Sequence, residues 1–163
     1  MIHIFGSNTT SHLSNVQEGD IQPNAVDLRI DKVFAINGAA FTLSESEKRH
    51  RGSTEIVPSA EGWWTLQPGS YEIVMDNIVV VGSDEAGWVI TRSTLNRNGV
   101  FLTSGLYDSG YRGIMAACMH VNCGLFSVQR GTRVGQYLTF KAEALKSYDG
   151  SSGLSKEHDK KYL

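Results

Sequence analysis

A short glycine-bounded segment carries three residue types that could act together on a ligand. In "GLYDSGYRG" (105–113), the carboxylate of Asp108 is followed by the ring of Tyr111 and the guanidinium of Arg112. A single carboxylate can orient or deprotonate a water molecule, and an aromatic ring can hold the molecule that the water attacks. The alternative is a β-hairpin with a polar tip. Because side chains alternate along a strand, Arg112 is expected to point away from Tyr111.

The sequence around this segment is basic. No Asp or Glu occurs between residues 109 and 142, so Asp108 is the acid of this stretch. Arginines and hydroxyl groups bind phosphate oxygens, and Mg²⁺ commonly accompanies a triphosphate with few protein ligands. The pattern therefore predicts a polyphosphate substrate, although most of the arginines, each taken alone, are better explained as solvated surface charges. The basic residues within or shortly before the stretch are Arg92, Arg97, Arg112, Arg130, Arg133 and Lys141.

Short apolar segments rich in β-branched and aromatic residues dominate the chain, and Gly, Asp or Asn separates them. This pattern predicts an all-β, antiparallel sandwich or barrel, with one short helix near residues 11–19. We expect one domain over residues 1–146. The polar tail, 147–163, is either a frayed terminus or an arm that closes over the site. The predicted strands are 33–36, 71–75, 77–82, 88–93, 99–103, 113–121, 125–129 and 135–142.

Composition excludes several classes of function. The net charge of −2 argues against an electrostatic nucleic-acid binder, and no apolar run approaches the ~20 residues that span a membrane. The two cysteines, Cys118 and Cys123, make no disulfide framework, which predicts a reducing cytoplasm. Cys118 and His120 share one strand face, but two ligands do not make a metal site, and strand packing explains them better.

Five segments, in order, resemble one known superfamily, the trimeric dUTPases and the dCTP deaminases. The segments are "IQPNAVDLRI" (21–30), "LQPGSYEI" (66–73), "TRSTLNRNG" (91–99), "GLYDSGYRG" (105–113) and "GTRVGQYLTF" (131–140). The first two are more similar to the deaminase-like branch. The resemblance implies a distorted β-barrel of jelly-roll type, and a homotrimer whose active sites lie at subunit interfaces.

The resemblance also assigns roles to individual residues. Asp108 would position the water that attacks the α-phosphorus of a deoxynucleoside triphosphate carried with Mg²⁺. Tyr111 would stack on the deoxyribose and exclude a ribose hydroxyl, and the backbone near Ser104 would contact the pyrimidine edge. The residues implied to contact the triphosphate are Arg92, Ser93, Thr94, Arg97 and Gln136.

Two positions depart from the family pattern in the base pocket. In the deaminases a glutamate ten residues after the motif aspartate activates water, whereas here the position is Cys118, or Met119 if the strand carries a bulge. A thiol is a poor substitute for a carboxylate that moves protons. In the simple dUTPases an asparagine six residues before the aspartate contacts uracil, whereas here it is Leu102. A base pocket without that amide would use backbone groups, which leaves cytosine open as a second base.

A third departure concerns the C-terminal segment. The glycine-rich closing motif of the dUTPases is absent. Tyr148 and Gly150 match the Tyr-x-Gly lid element of the deaminases, but the residues after them do not. These two residues are the candidates for a lid.

The retained Asp108 and the missing deaminase glutamate favour a pyrophosphatase that hydrolyses dUTP, with dCTP as a further candidate substrate. The first alternative is a dCTP deaminase. The second is a non-catalytic nucleotide-binding or regulatory protein on the same scaffold, and a structural or lectin-like β-domain is the least specific one.

Overall fold

The computed structural model describes residues 9–36, 38, 40–154 and 156–163, with the side chain of His158 left out. The first eight residues of the predicted domain therefore lie outside the described part. Thirteen strands and one short α-helix are found in the described ranges, with two 3₁₀ helices at Glu18–Asp20 and Glu157–Tyr162. The strands are β1 (His12–Leu13), β2 (Val26–Ile36), β3 (Thr42–Leu43), β4 (Lys48–Arg49), β5 (Ser53–Glu55), β6 (Trp63–Leu66), β7 (Gly69–Val80), β8 (Glu85–Thr91), β9 (Val100–Thr103), β10 (Leu106–Tyr107), β11 (Arg112–Val121), β12 (Phe126–Gln129) and β13 (Arg133–Lys141), and the helix is α1 (Ser93–Arg97).

Nine of these strands form one curled antiparallel sheet. Its order is β10-β8-β13-β2-β7-β11-β9, with β1 added to β7 and β5 added to β2. The long strand β2 pairs with β13 through its first half and with β7 through its second half. The pairing shifts register between Ile30 and Lys32, where the two halves of the sheet meet. The all-β, distorted-barrel prediction is confirmed.

Strand alternation separates core from surface. In β11, burial alternates along the strand, and Met115, Ala117, Met119 and Val121 all point inward. The side chains between these residues face outward, because successive Cβ atoms point to opposite sides of a sheet. Burying each large apolar side chain contributes about 1.5–3 kcal/mol, which holds the sheet in its curled form.

Several local predictions change in the structure. The helix expected near residues 11–19 is wrong: this stretch holds β1 and the 3₁₀ helix Glu18–Asp20 instead. The two strands predicted at 71–75 and 77–82 are one strand, β7. Asn77 does not interrupt it, because its side chain is buried and donates to the carbonyl of Ser14 beside β1, at 2.7 Å.

The C-terminal tail is folded onto the barrel. The 3₁₀ helix Glu157–Tyr162 places the ring of Tyr162 in a small apolar cluster with Phe34 and Val74. The backbone amide of Leu154 donates to the carbonyl of Arg112, at 3.1 Å. The described residues of the tail are thus packed against the barrel, and the closing of the tail over an active site stays a prediction. No helix in the described ranges has the length and apolar character to cross a membrane.

Candidate active site

Asp108 lies in a tight turn between β10 and β11. The amide of Tyr111 donates to the carbonyl of Asp108, at 3.0 Å, and closes the turn. Gly110 has a φ of 82°, a left-handed conformation that strains any residue with a Cβ atom. The side chain of Ser109 is buried and donates to the carbonyl of Glu85 on the adjacent strand β8. The turn is thus fixed while the Asp108 side chain stays exposed.

Tyr111 is packed beneath this turn. Its ring is 6% exposed and meets the rings of Tyr107 and Tyr148 edge-on, with centroids 5.4 and 5.1 Å away. Gly113 makes the packing possible, because a Cβ there would lie 2.2 Å from the Tyr111 hydroxyl oxygen. Arg112 is exposed, so it points away from Tyr111 as alternation predicts.

A cleft of about 570 Å³ opens beside Asp108. Tyr148 and Gly150, the two lid candidates, line it from the tail side. The amide of Tyr148 donates to the carbonyl of Ser109, at 2.9 Å, so the tail is tied to the turn that carries Asp108. The tail therefore forms one wall of the cleft beside Asp108.

The residues implied to bind phosphate gather at the far end of β8. The backbone of Arg92 is extended, and this residue directly precedes α1. Its amide donates to the carbonyl of Val134 on β13. Ser93, Thr94 and Arg97 lie on α1 with exposed side chains.

A buried carboxylate organises this end of the site. The side chain of Asp27, on β2, is fully buried. Its Oδ2 lies 3.3 Å from Nε of Arg92 and 3.3 Å from Nη1 of Arg133, and its Oδ1 accepts from Nε2 of Gln136 at 3.0 Å. Charge-assisted hydrogen bonds of this kind fix the orientation of guanidinium and amide groups. Sequence analysis recognised the motif around Asp27 but missed this role; an acid between apolar residues of a strand was the available signal.

The residues implied to lie near the pyrimidine base, Leu102 and Ser104, lie between the two ends of β8. Leu102 is buried in the core, and its amide donates to Oγ1 of Thr91 at 2.7 Å. The hydroxyl of Ser104 lies 3.3 Å from both the amide and the carbonyl of Val89, in the middle of β8. Leu102 therefore presents no side-chain polar group, whereas the backbone around Ser104 is at the surface.

Within one chain, the two ends are far apart. Tyr107 pairs with Gly87, so Asp108 lies near the start of β8, whereas Arg92 follows its last residue. Arg92 lies five positions after Gly87, which is roughly 16 Å at about 3.3 Å per residue. Asp108 and the Asp27 cluster, which consists of Asp27, Arg92, Arg133 and Gln136, therefore do not meet within one chain.

The position at which the deaminases carry a glutamate holds no acid here, but the carboxylate of Glu72 faces it from the neighbouring strand β7. The β11–β7 pairing shifts register between Ile114 and Ala116, which is the predicted bulge. Cys118 is half-buried on the outer face, Met119 is in the core, and Cys118 pairs with Glu72. Burial raises the pKa of the Cys118 thiol, which makes it still less able to shuttle a proton.

Glu72 itself is held by three donors. Nζ of Lys161 lies 2.9 Å from its Oε1, Nη2 of Arg51 lies 3.0 Å from its Oε2, and the hydroxyl of Tyr162 donates to Oε1. Burial would raise the pKa of Glu72, but the bonds from Tyr162, Lys161 and Arg51 outweigh it and lower the pKa. Glu72 is therefore an ionised anchor for the tail.

A third carboxylate whose role the sequence did not indicate is Glu85, at the start of β8. It is fully buried and accepts hydrogen bonds from Thr9, from the backbone of Thr10, from Ser11, and from Nζ of Lys141 at 3.1 Å. Burial would raise the pKa of Glu85, but these bonds lower it to about 2. Glu85 therefore ties the N-terminal segment to the strand that supports the Asp108 turn.

Solved structures define the class to which this fold belongs. The chain is similar to the 2′-deoxycytidine 5′-triphosphate deaminase of Agrobacterium tumefaciens, with a TM-score of 0.61 and 16% identity over 79% of this chain and 43% of that one. It is also similar to the dUTPase of Staphylococcus bacteriophage 80alpha with dUPNHPP, with a TM-score of 0.54 and 12% identity over 93% of this chain and 94% of that one. Both similarities show a dUTPase-like fold.

Sequence comparison narrows the class to a family. The model of dCTP deaminase-like proteins matches residues 6–142. A probable deoxyuridine 5′-triphosphate nucleotidohydrolase of Methanosarcina barkeri is 32% identical over 137 residues, covering 82% of this chain and 80% of that protein. The chain belongs to the dCTP deaminase-like family, within the dUTPase and dCTP deaminase superfamily.

Proposed function

We propose that the protein is a deoxypyrimidine triphosphate pyrophosphatase that hydrolyses dUTP, and dCTP as a further substrate, to the monophosphate and pyrophosphate. The observation that carries the proposal is Asp108, an exposed carboxylate on a rigid turn beside a cleft of about 570 Å³. Relatives named as probable deoxyuridine 5′-triphosphate nucleotidohydrolases support the same reaction.

In this reaction Asp108 orients a water molecule and accepts its proton as the oxygen attacks the α-phosphorus. The bond between the α-phosphorus and the bridging oxygen breaks, and pyrophosphate leaves. A general base in such a position contributes about 10²–10⁴-fold to the rate. Tyr111, packed under the turn, provides the platform against which the deoxyribose rests.

Arg92, Ser93, Thr94, Arg97 and Gln136 are the proposed contacts for the phosphate oxygens. Mg²⁺ would arrive as part of the substrate. No group of three or more His, Cys, Asp or Glu residues in the described ranges could hold a metal ion by itself. Mg²⁺ typically keeps several waters and binds through substrate phosphates, so this lining fits a Mg²⁺–triphosphate complex.

We further propose that the working unit is a homotrimer. Asp108 and the Asp27 cluster stand at opposite ends of β8, so one α-phosphorus is reached by both only if they come from different copies. A cyclic assembly repeats one such contact at every interface. Both cysteines are free, and we therefore propose that the protein works in a reducing cytoplasm.

A dCTP deaminase is the alternative function, and one observation favours it. Glu72 pairs across the sheet with Cys118, so a carboxylate does lie near the expected position. However, both of its oxygens already accept bonds from cationic groups, which suits an anchor better than a group that must gain and lose protons.

A product assay tests the proposal. The protein would be incubated with dUTP, dCTP, dTTP and UTP, with and without Mg²⁺, and the products separated by anion-exchange chromatography. The proposal predicts deoxynucleoside monophosphate and pyrophosphate from dUTP, and no hydrolysis of UTP. Conversion of dCTP to dUTP without loss of phosphate would instead establish the deaminase, and binding without any product would establish a non-catalytic protein.

A further inference from the structure

A second, smaller cavity adjoins the Asp108 cleft. Its volume is about 210 Å³, equivalent to roughly seven water molecules at about 30 Å³ each, which is room for one pyrimidine ring with its substituents. It shares Leu106 and Tyr148 with the larger cleft, so one ligand could occupy both. Its other walls include Gly105, beside the base-side hairpin, and the rings of Tyr107 and Tyr111.

The tail contributes a buried acid to this cavity. Asp159 is 4% exposed and lines the cavity wall. Its Oδ2 accepts a hydrogen bond from the amide of Gly153. Among the described residues this is the one hydrogen bond that the carboxylate receives, and none of them forms an ion pair with it. Oδ1 therefore has no donor in the described part of the chain.

Two of the tyrosines that line the cavity, Tyr107 and Tyr111, use their hydroxyl protons elsewhere. The hydroxyl of Tyr107 donates to the carbonyl of Ala116, and the hydroxyl of Tyr111 donates to the carbonyl of Ile114, both at 3.2 Å. Each phenol has one proton, so neither has another to give. Asp159 and the rings of Tyr107 and Tyr111 line the same cavity. Burial raises the pKa of Tyr111, and the negative charge of Asp159 raises it further.

Oδ1 of Asp159 is not one of the buried polar atoms of the described residues that lack a partner, so it is accessible and can accept a further hydrogen bond; the cavity is therefore suited to a ligand that brings an N–H group. The aromatic walls favour a flat ring, which stacks or packs edge-on against them. Cytosine combines both properties, because its 4-amino group is a donor that a carboxylate accepts well. Uracil instead presents a carbonyl acceptor at the same position.

We propose that Asp159 is a specificity-determining residue that accepts a hydrogen bond from the 4-amino group of cytosine and so raises the kcat/KM for dCTP relative to that for dUTP. The proposal rests on the proposed function, since it places the base of that substrate in the small cavity and its phosphates toward Asp108. When uracil is bound, its carbonyl oxygen faces the carboxylate oxygen and no hydrogen bond forms between the two acceptors. We expect a selectivity of about 10–100-fold, which is about 1.4–2.7 kcal/mol at about 1.36 kcal/mol per tenfold.

The first test is the Asp159→Asn variant. An amide can donate to the uracil carbonyl, so the ratio of kcat/KM for dCTP to that for dUTP should fall by about 10–100-fold. Glu157→Gln is the matched control, because Glu157 lies on the same 3₁₀ helix and its side chain is 84% exposed. Pyrophosphate release would be measured with both substrates. A ratio for Asp159→Asn within twofold of the wild-type value would overturn the proposal.

A second test uses the unaltered protein and so does not depend on whether a variant folds. The pyrimidin-2-one analogue of dCTP lacks the 4-amino group and should show a kcat/KM at least about tenfold below that of dCTP. Equal values for the two nucleotides would contradict the proposed bond.

Equilibrium binding separates this proposal from the proposed function. Calorimetry on the Asp108→Asn variant compares the affinities for dCTP and dUTP without turnover. If the wild-type protein hydrolyses neither nucleotide, the proposed function fails, and the affinity ratio still decides the role of Asp159. If dUTP is hydrolysed but Asp159→Asn leaves both ratios unchanged, the role of Asp159 fails and the proposed function stands.

Discussion

The two ends of strand β8 hold acids in opposite environments. At one end, Asp27 is fully buried and bonded by Arg92, Arg133 and Gln136. At the other, Asp108 is exposed above a rigid turn and faces a cleft. The enclosed acid can only orient its partners, whereas the open acid is available to water and substrate. Burial and bonding thus separate a positioning acid from a candidate catalytic one.

The largest expected effect is on activity at the open end. Asp108→Asn should reduce kcat for dUTP by at least about 10²–10⁴-fold, because the base that accepts the water proton is lost. The free energy of unfolding should change by less than about 0.5 kcal/mol, since the side chain is exposed. Pyrophosphate release and urea unfolding measure the two quantities. Undiminished hydrolysis would remove Asp108 from the mechanism.

The opposite pattern is expected at the enclosed end. Asp27→Asn should lower the free energy of unfolding by about 1–3 kcal/mol, because two guanidinium groups lose their shared carboxylate. KM for dUTP should rise as Arg92 and Gln136 lose their anchor. Asp31→Asn on the same strand is the control: its ion pair with Arg130 is partly exposed, so a change of at most about 1 kcal/mol is expected. Equal losses in the two variants would contradict the positioning role.

Glu85, a further buried carboxylate, is expected to make the free energy of unfolding depend on pH. Its folded-state pKa of about 2 lies below the ordinary value of 4.5, so its stabilising contribution is complete above about pH 4.5 and is lost as pH falls toward 2. Glu85→Gln should therefore cost about 2–3 kcal/mol at neutral pH and progressively less in acid. Urea unfolding of both proteins between pH 2 and pH 6 measures this difference. A difference independent of pH would show that the carboxylate charge is not involved.

The smallest expected effect concerns the turn that holds the open acid. Gly110→Ala places a Cβ atom at a φ of 82°, which costs about 1–2 kcal/mol. Gly124→Ala, where a Cβ would meet no atom within 4 Å, should be close to neutral. Thermal unfolding of the two variants provides the measurement, and matching midpoints would show that the turn relaxes at no cost.

The Asp108 turn is local in sequence, whereas the Asp27 cluster joins distant segments, and this difference decides what could be predicted from the sequence. The strands around Tyr111 and β13 follow from alternation, and the exposed Asp108 turn follows from its glycines. The Asp27 cluster joins residues 27, 92, 133 and 136, and no local pattern indicates which strands are neighbours. The bond between Tyr162 and Glu72 spans a separation of 90 residues, so no local pattern indicates that the tail packs on the barrel.

The most direct test of the account is complementation between two impaired variants. Asp108→Asn and Arg97→Ala alter opposite ends of β8, and each alone should hydrolyse dUTP poorly. If every site takes Asp108 from one copy and Arg97 from another, co-refolding equal amounts should restore about a quarter of the wild-type activity, because random mixing leaves about one site in four with both native residues. Activity that stays at the average of the two variants, in oligomers shown to have mixed, would contradict a site shared between copies.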